Sequence, residues 1–175
     1  MTESIEIRES VPDDLVSLEA LYPEAFPDED LLPLVRELLG PSSTSLSLIA
    51  TIDTSVVGHV LFTKCQVAES PGRDALLAPL AIAPAWQRRG IGSAIVRAGL
   101  QRLEEAGVSQ VYVLGDPAYY GRLGFRTETR VTPPYRLPPE WVGAWQSLGL
   151  IDMAEPRSGR LVLPQPWLEP ALWAP

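Results

Sequence analysis

The spacing of apolar residues divides this chain into short, unlike elements. Ser4 to Glu9 (SIEIRE) alternates apolar and polar residues and predicts a strand. Pro12-Asp13-Asp14 then opens a helix carrying Leu15, Leu18, Leu21 and Tyr22, with Ser10 or Asp13 as its cap and Phe26-Pro27 as its break. Asp28 to Leu39 predicts a second short helix, with Pro33 in its first turn and Gly40-Pro41 beyond its end. Leu46 to Asp53 and Val56 to Val67 predict a hairpin turning at Asp53-Thr54-Ser55. Ser70 to Asp74 reads as another turn, leading into a strand from Ala75 to Ile82.

After Pro84 the period changes from two to 3.6. Ile91, Ile95, Ala98 and Leu103 fall on one side of a helix, with Ser93, Arg97, Gln101 and Glu104 on another, and Gly107 ends it. Val108 to Leu114 predicts a strand, and Gly115-Asp116-Pro117 starts a short helix that stops at Gly124-Phe125. The predicted order is β-α-α-β-β-β-α-β-α-β, a mixed α/β domain. Beyond Arg130 the chain is rich in proline and holds Trp141, Trp145, Trp167 and Trp173. Disordered segments seldom hold so many tryptophans, so residues 131–175 are expected to be an extension packed on a core of residues 1–130, with a last strand near 160–163. A contact between two copies is equally open to such a tail.

Composition narrows the function classes. With 175 residues, 46% of them hydrophobic, one substantial core is expected. No apolar run is long enough to span a membrane, and the acidic Met1–Glu6 lacks a signal peptide's layout, so the cytoplasm is the expected compartment. Cys65 and His59 are the sole cysteine and histidine, which argues against a disulfide, a cysteine- or multi-histidine metal site and a Ser-His-Asp hydrolase. His59, inside a Val-Gly-His-Val strand, reads as structural. The net charge of −8 disfavours nucleic acid as a partner. The acids crowd the first forty residues, where Asp13, Asp14, Glu19, Glu24, Asp28, Glu29, Asp30 and Glu37 face only Arg8 and Arg36 as basic residues.

The strongest chemical signal is Gln87-Arg88-Arg89-Gly90-Ile91-Gly92-Ser93, placed between a strand and a helix. Backbone N–H groups at a helix start, glycines that let a ligand come close, and two arginines make an anion site, suited to phosphate above all. No lysine follows either glycine as a P-loop demands, and Ile95 stands where a dinucleotide fingerprint needs a small residue.

What does fit is Gln-x-x-Gly-x-Gly behind a strand, which resembles the pyrophosphate-binding signature of the GCN5-related N-acetyltransferases. A second stretch, Leu114-Gly-Asp116-Pro-Ala-Tyr119-Tyr120-Gly-Arg122-Leu-Gly124-Phe125, resembles the YhbS-like bacterial branch of that family, which often has asparagine where this chain has Asp116. The resemblance covers about Leu76 to Phe125. It implies the acyl-CoA N-acyltransferase fold, a central, mostly antiparallel sheet flanked by helices, and acetyl transfer from acetyl-CoA to an amine.

It further implies that backbone groups of Leu80, Ala81 and Ile82 pair with the pantetheine arm, with the strand from Val108 splaying away to admit it. Gln87, Arg88, Arg89, Gly90, Ile91, Gly92 and Ser93 would hold the pyrophosphate, and Asp116, Tyr119 and Tyr120 would border the cofactor. Tyr120 matches the family's tyrosine, a general acid for the departing thiolate, although packing against core or cofactor remains an alternative role. No general base stands out. Glu24, Glu69 and Asp74 read as surface acids, and a water chain could serve instead. The acceptor is expected to be a small-molecule or peptide amine, cationic if the acidic amino-terminal third borders it. A non-catalytic acyl-CoA sensor, another acyl chain and a hydroxyl acceptor are the competing readings.

Overall fold

The structure is a computed structural model that describes residues 4–152 and 155–175; Met1–Glu3, part of the acidic start of the chain, lie outside the described residues. Two compact units emerge. One is built from the chain up to Phe62 together with Ala78–Gln101, the other from Thr63–Leu77 together with the chain from Arg102 onward.

The first unit opens with strand β1 (Ile5–Glu9), a 3-10 turn at Pro12–Asp14, helix α1 (Leu15–Ala25) and helix α2 (Leu32–Leu38). Neither expected cap is used. The Asp14 carboxylate accepts from the Val11 N–H at 2.7 Å and is gripped by both arms of the Arg8 guanidinium at 2.9 and 3.0 Å. The Arg8 bonds hold its pKa below the usual carboxylate value, against the opposing effect of burial. The Ser10 hydroxyl is spent elsewhere, on Ser47. α1 runs through Pro23 and stops at Phe26 as expected. α2 is shorter than its pattern suggested, because Pro33 fits only its first turn and so fixes where it can begin.

Strands β2 (Leu46–Ile52) and β3 (Ser55–Val67) form the expected hairpin, with Asp53 and Thr54 in left-handed conformation at its tip. β1 and β2 pair antiparallel from Ile5↔Ile52, and β2 and β3 antiparallel from Leu46↔Phe62. Leu18, Tyr22, Val35, Leu48, Ile49, Val60, Leu61 and Phe62 are buried here. Among them lies His59, fully buried. Its Nδ1 is 2.7 Å from the Tyr22 hydroxyl and its Nε2 is 2.8 Å from Ser47 Oγ, which accepts from Ser10 Oγ at 2.6 Å. Burial depresses its pKa to about 3, outweighing the nearby Asp14 carboxylate, so the ring is a neutral link between α1, β2 and β3.

Strand β4 (Ser70–Ile82) starts five residues earlier than the alternation indicated. The turn lies instead at Ala68–Glu69, with Glu69 at φ 60°. A partner remote in sequence allows this. The Arg157 guanidinium lies over Gly72 and pairs with Asp74 at 2.8 Å, both side chains being buried. Tyr112 donates to the other Asp74 oxygen at 3.0 Å. Asp74 is therefore a paired core carboxylate and not the surface acid expected; desolvation raises its pKa, partly offset by Arg157.

Helix α3 (Ile91–Glu105) closes with the Val108 N–H bonded to the Leu103 carbonyl at 2.9 Å, the pattern of a glycine-ended helix. Strand β5 (Gln110–Leu114) pairs parallel to β4 through Asp74↔Gln110, Ala75↔Val111 and Leu76↔Tyr112. That register ends after three pairs, although β4 runs on to Ile82 and β5 to Leu114.

Helix α4 (Pro117–Tyr120) continues as a 3-10 turn over Gly121–Leu123. Strand β6 (Arg126–Thr127) follows, and the tail holds more strand than its composition suggested: β7 (Val131–Thr132), β8 (Trp145–Gly149) and β9 (Gly159–Val162). β8 pairs antiparallel with both β5 and β6, and β9 pairs antiparallel with the end of β3 and parallel with β7. The pairings are thus mixed and mostly antiparallel. Three of the tail's tryptophans are buried and anchored through their indole N–H groups: Trp145 to the Val131 carbonyl, Trp167 to Thr63 Oγ1 and Trp173 to the Trp167 carbonyl.

Candidate active site

The first unit brings together everything predicted from Leu80 to Ser93. Leu80, Ala81 and Ile82 form the end of β4; a 3-10 turn at Pro84–Trp86 follows, and then the loop into α3. Ala81 is fully buried, whereas Leu80 and Ile82 on either side of it are half-buried. The Gln87 side chain folds back and donates from Nε2 to the Ile82 carbonyl at 3.1 Å. It closes the loop onto its own strand.

Arg88 stands at φ 62° and Gly90 at φ 82°, two left-handed residues with Arg89 between them. Left-handed residues alternating with others are the backbone pattern from which anion-binding concavities are built. A side chain at Gly90 would meet nothing within 4 Å, so the space over this glycine is open for an incoming group. The first hydrogen bond into α3 is Ala94 N–H to the Gly90 carbonyl at 3.0 Å. The N–H groups of Ile91, Gly92 and Ser93 therefore precede the helix's internal bonding and carry its positive dipole end.

The side chains divide sharply by role. Ile91 is buried against Gly58 and contributes its backbone alone. Arg88 and Arg89 are exposed, and the Arg89 guanidinium lies 4.9 Å from the centre of the Trp86 ring, which aims it along the loop. The pattern at Gln87 to Gly92 did not single out Trp86, whose only sequence signal is its place one residue before Gln87.

The second unit brings together Asp116, Tyr119 and Tyr120. Asp116 is the N-cap of α4 and accepts from the Ala118 N–H at 2.9 Å. Tyr120 is 9% exposed, with its ring edge-on to Tyr119 at 5.0 Å and to Phe125 at 5.6 Å. Burial, helped by Tyr119, raises the pKa of its phenol above the ordinary tyrosine value, so the hydroxyl stays protonated and able to donate. Gly115 closes this box: a Cβ there would come within 2.5 Å of the Tyr120 ring. Tyr119 is half-buried, with the Arg122 guanidinium 5.8 Å from its ring centre.

A further cavity of about 320 Å³ in the first unit is lined by Tyr22, Phe26, Asp28, Glu29, Asp30 and Leu32, among others. The half-buried Phe26 and three exposed acidic residues at the turn between α1 and α2 form a wall suited to an ammonium group. Among the described residues, no group of three metal-ligating side chains converges, and no helix is long and apolar enough to cross a membrane.

Comparison with known proteins adds to this geometry. The acetyltransferase (GNAT) family model matches residues 13–125. The chain is 36% identical over 125 residues to YjhQ of Escherichia coli K12, named as an uncharacterized N-acetyltransferase, the match covering 67% of this chain and 68% of that one. It is 34% identical over 120 residues to YhbS of the same strain, which carries the same description, covering 68% and 72%. Among solved structures, Escherichia coli YhbS in complex with CoA superposes with a TM-score of 0.88 at 28% identity, over 97% of this chain and 94% of that one. A GNAT family acetyltransferase from Brucella melitensis in complex with acetyl-CoA gives 0.77 at 25% identity, over 94% and 99%.

Proposed function

The chain belongs to the acetyltransferase (GNAT) family, and on that premise we propose that it transfers an acetyl group from acetyl-CoA to a primary amine of a cationic small molecule or peptide. The observation that carries the donor side is the loop: left-handed residues at Arg88 and Gly90, open space over Gly90 and N–H groups of Ile91 to Ser93 ahead of the helix's internal bonding suit a pyrophosphate. Arg88 and Arg89 supply the countercharge. Backbone groups of Leu80, Ala81 and Ile82 take the pantetheine arm as an added strand, which asks nothing of their side chains.

When bound, acetyl-CoA supplies an activated acyl carbon with a thiolate leaving group. The acceptor nitrogen attacks that carbon, the carbon–sulfur bond breaks, and the ammonium formed gives up one proton while the sulfur gains one. Tyr120 donates the proton to sulfur, a step worth about 10²–10⁴-fold in rate, and the raised pKa of its buried phenol keeps that proton in place until it is transferred. Asp116 caps the helix that carries Tyr120, and the Tyr119 ring packs edge-on against the Tyr120 ring. For the acceptor, the acidic cavity from Tyr22 to Leu32, with Phe26 in its wall, favours a cation.

The test is release of free thiol from acetyl-CoA over a panel of amines, with CoA affinity measured in parallel. Tyr120→Phe is expected to lower kcat by about 10²-fold or more and leave CoA affinity within about twofold. Gly92→Trp is expected to abolish CoA binding. Unchanged affinity in the glycine variant would remove the phosphate site from the loop, and unchanged turnover in the tyrosine variant would remove the acid. Tight CoA binding without thiol release on any amine would make the protein a binding module.

A further inference from the structure

The second unit carries a cavity of about 790 Å³ that the acetyl-transfer reading does not use. Its floor is apolar: Val131 and Trp145 are buried there, and Pro133, Leu137 and Val142 line it, Val142 with 56% of its surface exposed. Three charged side chains, Glu128, Arg136 and Arg160, also reach it.

The acid is already satisfied. One Glu128 oxygen accepts from Gln110 Nε2 at 3.1 Å and Ser147 Oγ at 2.6 Å, the other from the Arg130 and Val131 N–H groups at 2.7 Å each. Four donors on one carboxylate leave it little pull on a cation. The arginines are in the opposite condition. Among the described residues neither Arg136 nor Arg160 forms an ion pair, and Arg160 spends one N–H on the Pro134 carbonyl. In a chain of net charge −8, two guanidinium groups at an apolar cavity without a carboxylate partner are a marked departure from the surrounding field.

We propose that this cavity binds a small organic acid, with its carboxylate on Arg136 and Arg160 and a flat apolar body against Pro133, Leu137 and Val142. The guanidinium fork matches a carboxylate with two parallel hydrogen bonds, and the apolar walls supply the desolvation that makes such bonds strong. The volume lies in the range of about 300–1,000 Å³ typical of small-ligand sites, which favours a free molecule over a protein partner. This site is separate in its chemistry from the cationic acceptor proposed above and stands without it.

Isothermal titration of the full chain with 2-naphthoate, against 2-naphthylmethanol and 2-naphthylmethylammonium, tests the proposal, with benzoate and octanoate completing the panel of acids. The acid is expected to bind at least about tenfold more tightly than the alcohol, and the ammonium not at all. Arg136→Gln and Arg160→Gln should each weaken the acid by roughly tenfold, the scale of one charge-assisted hydrogen bond. Arg136 is exposed and has no side-chain hydrogen bond or ion pair among the described residues, so its variant stays informative if the Arg160 variant unfolds. Equal affinity for acid and alcohol, no binding by any acid of the panel, or an unaltered Kd in Arg136→Gln would overturn the proposal. A concentration-dependent dimer dissociated by Arg136→Gln in sedimentation would overturn it too, giving the groove to a second copy of the chain.

Discussion

The two motif-bearing regions, Gln87 to Ser93 and Asp116 to Phe125, spend their residues in opposite ways. In the first, Gln87, Arg88 and Arg89 are exposed and the N–H groups of Ile91 to Ser93 precede the internal bonding of α3, so the segment presents donors to whatever arrives. In the second, nearly every motif residue is committed internally. Asp116 caps α4, Gly115 makes room for a ring, and Phe125 packs on it. A recurring sequence pattern can therefore mark either a binding surface or the packing that aims one side chain. Only the second kind should trade stability when mutated.

That contrast can be broken at three points. Gly115→Ala should have the largest effect. Its Cβ would stand 2.5 Å from the Tyr120 ring, and forcing that ring aside costs about 1–3 kcal/mol, read as a lower urea midpoint, with turnover falling alongside. A variant as stable as the parent would show that the ring box is loose. Asp116→Ala removes the cap of α4 and should cost about 1 kcal/mol in the same measurement, with asparagine restoring most of it. Loss of CoA affinity without loss of stability would instead make Asp116 a ligand contact.

Gln87→Ala should be the mildest in stability, within about 0.5 kcal/mol, as expected for an exposed side chain. Its effect should appear in CoA affinity, which falls as the loop loses its 3.1 Å tie to Ile82 and must be ordered on binding. Equal affinity in the variant would mean that the loop holds its shape through the turns at Arg88 and Gly90 alone. A pH–rate profile separates the regions further. The raised pKa of Tyr120 keeps the proton donor loaded as pH rises, so no falling limb attributable to it should appear below about pH 10.

The β2–β3 hairpin, α3 and the loop before it follow from neighbours in the chain. Apolar spacing, the Asp53-Thr54 tip and the helix-ending Gly107 are all local instructions, and the structure follows them closely. The elements misjudged are those whose local signals were overruled from a distance. Ser70 to Asp74 reads as a turn by its proline and glycine, yet it is strand, because Asp74 pairs with Arg157 and Tyr112. The tail's strand β8 is hidden among prolines and tryptophans, and it exists because β5 and β6 offer it partners.

The loop from Gln87 to Ser93 shows where local information stops. Its resemblance to a pyrophosphate-binding signature is written in seven consecutive residues, since helix starts and glycine turns need only their own chain. Whether Gln87 faces a ligand or its own strand, whether Ile91 offers a side chain or just an N–H, and where Asp14, Asp74 and Glu128 find their hydrogen bonds were decided by packing. Buried polar groups must be paired, and their partners lie wherever the fold brings one within reach, which no spacing in the chain encodes.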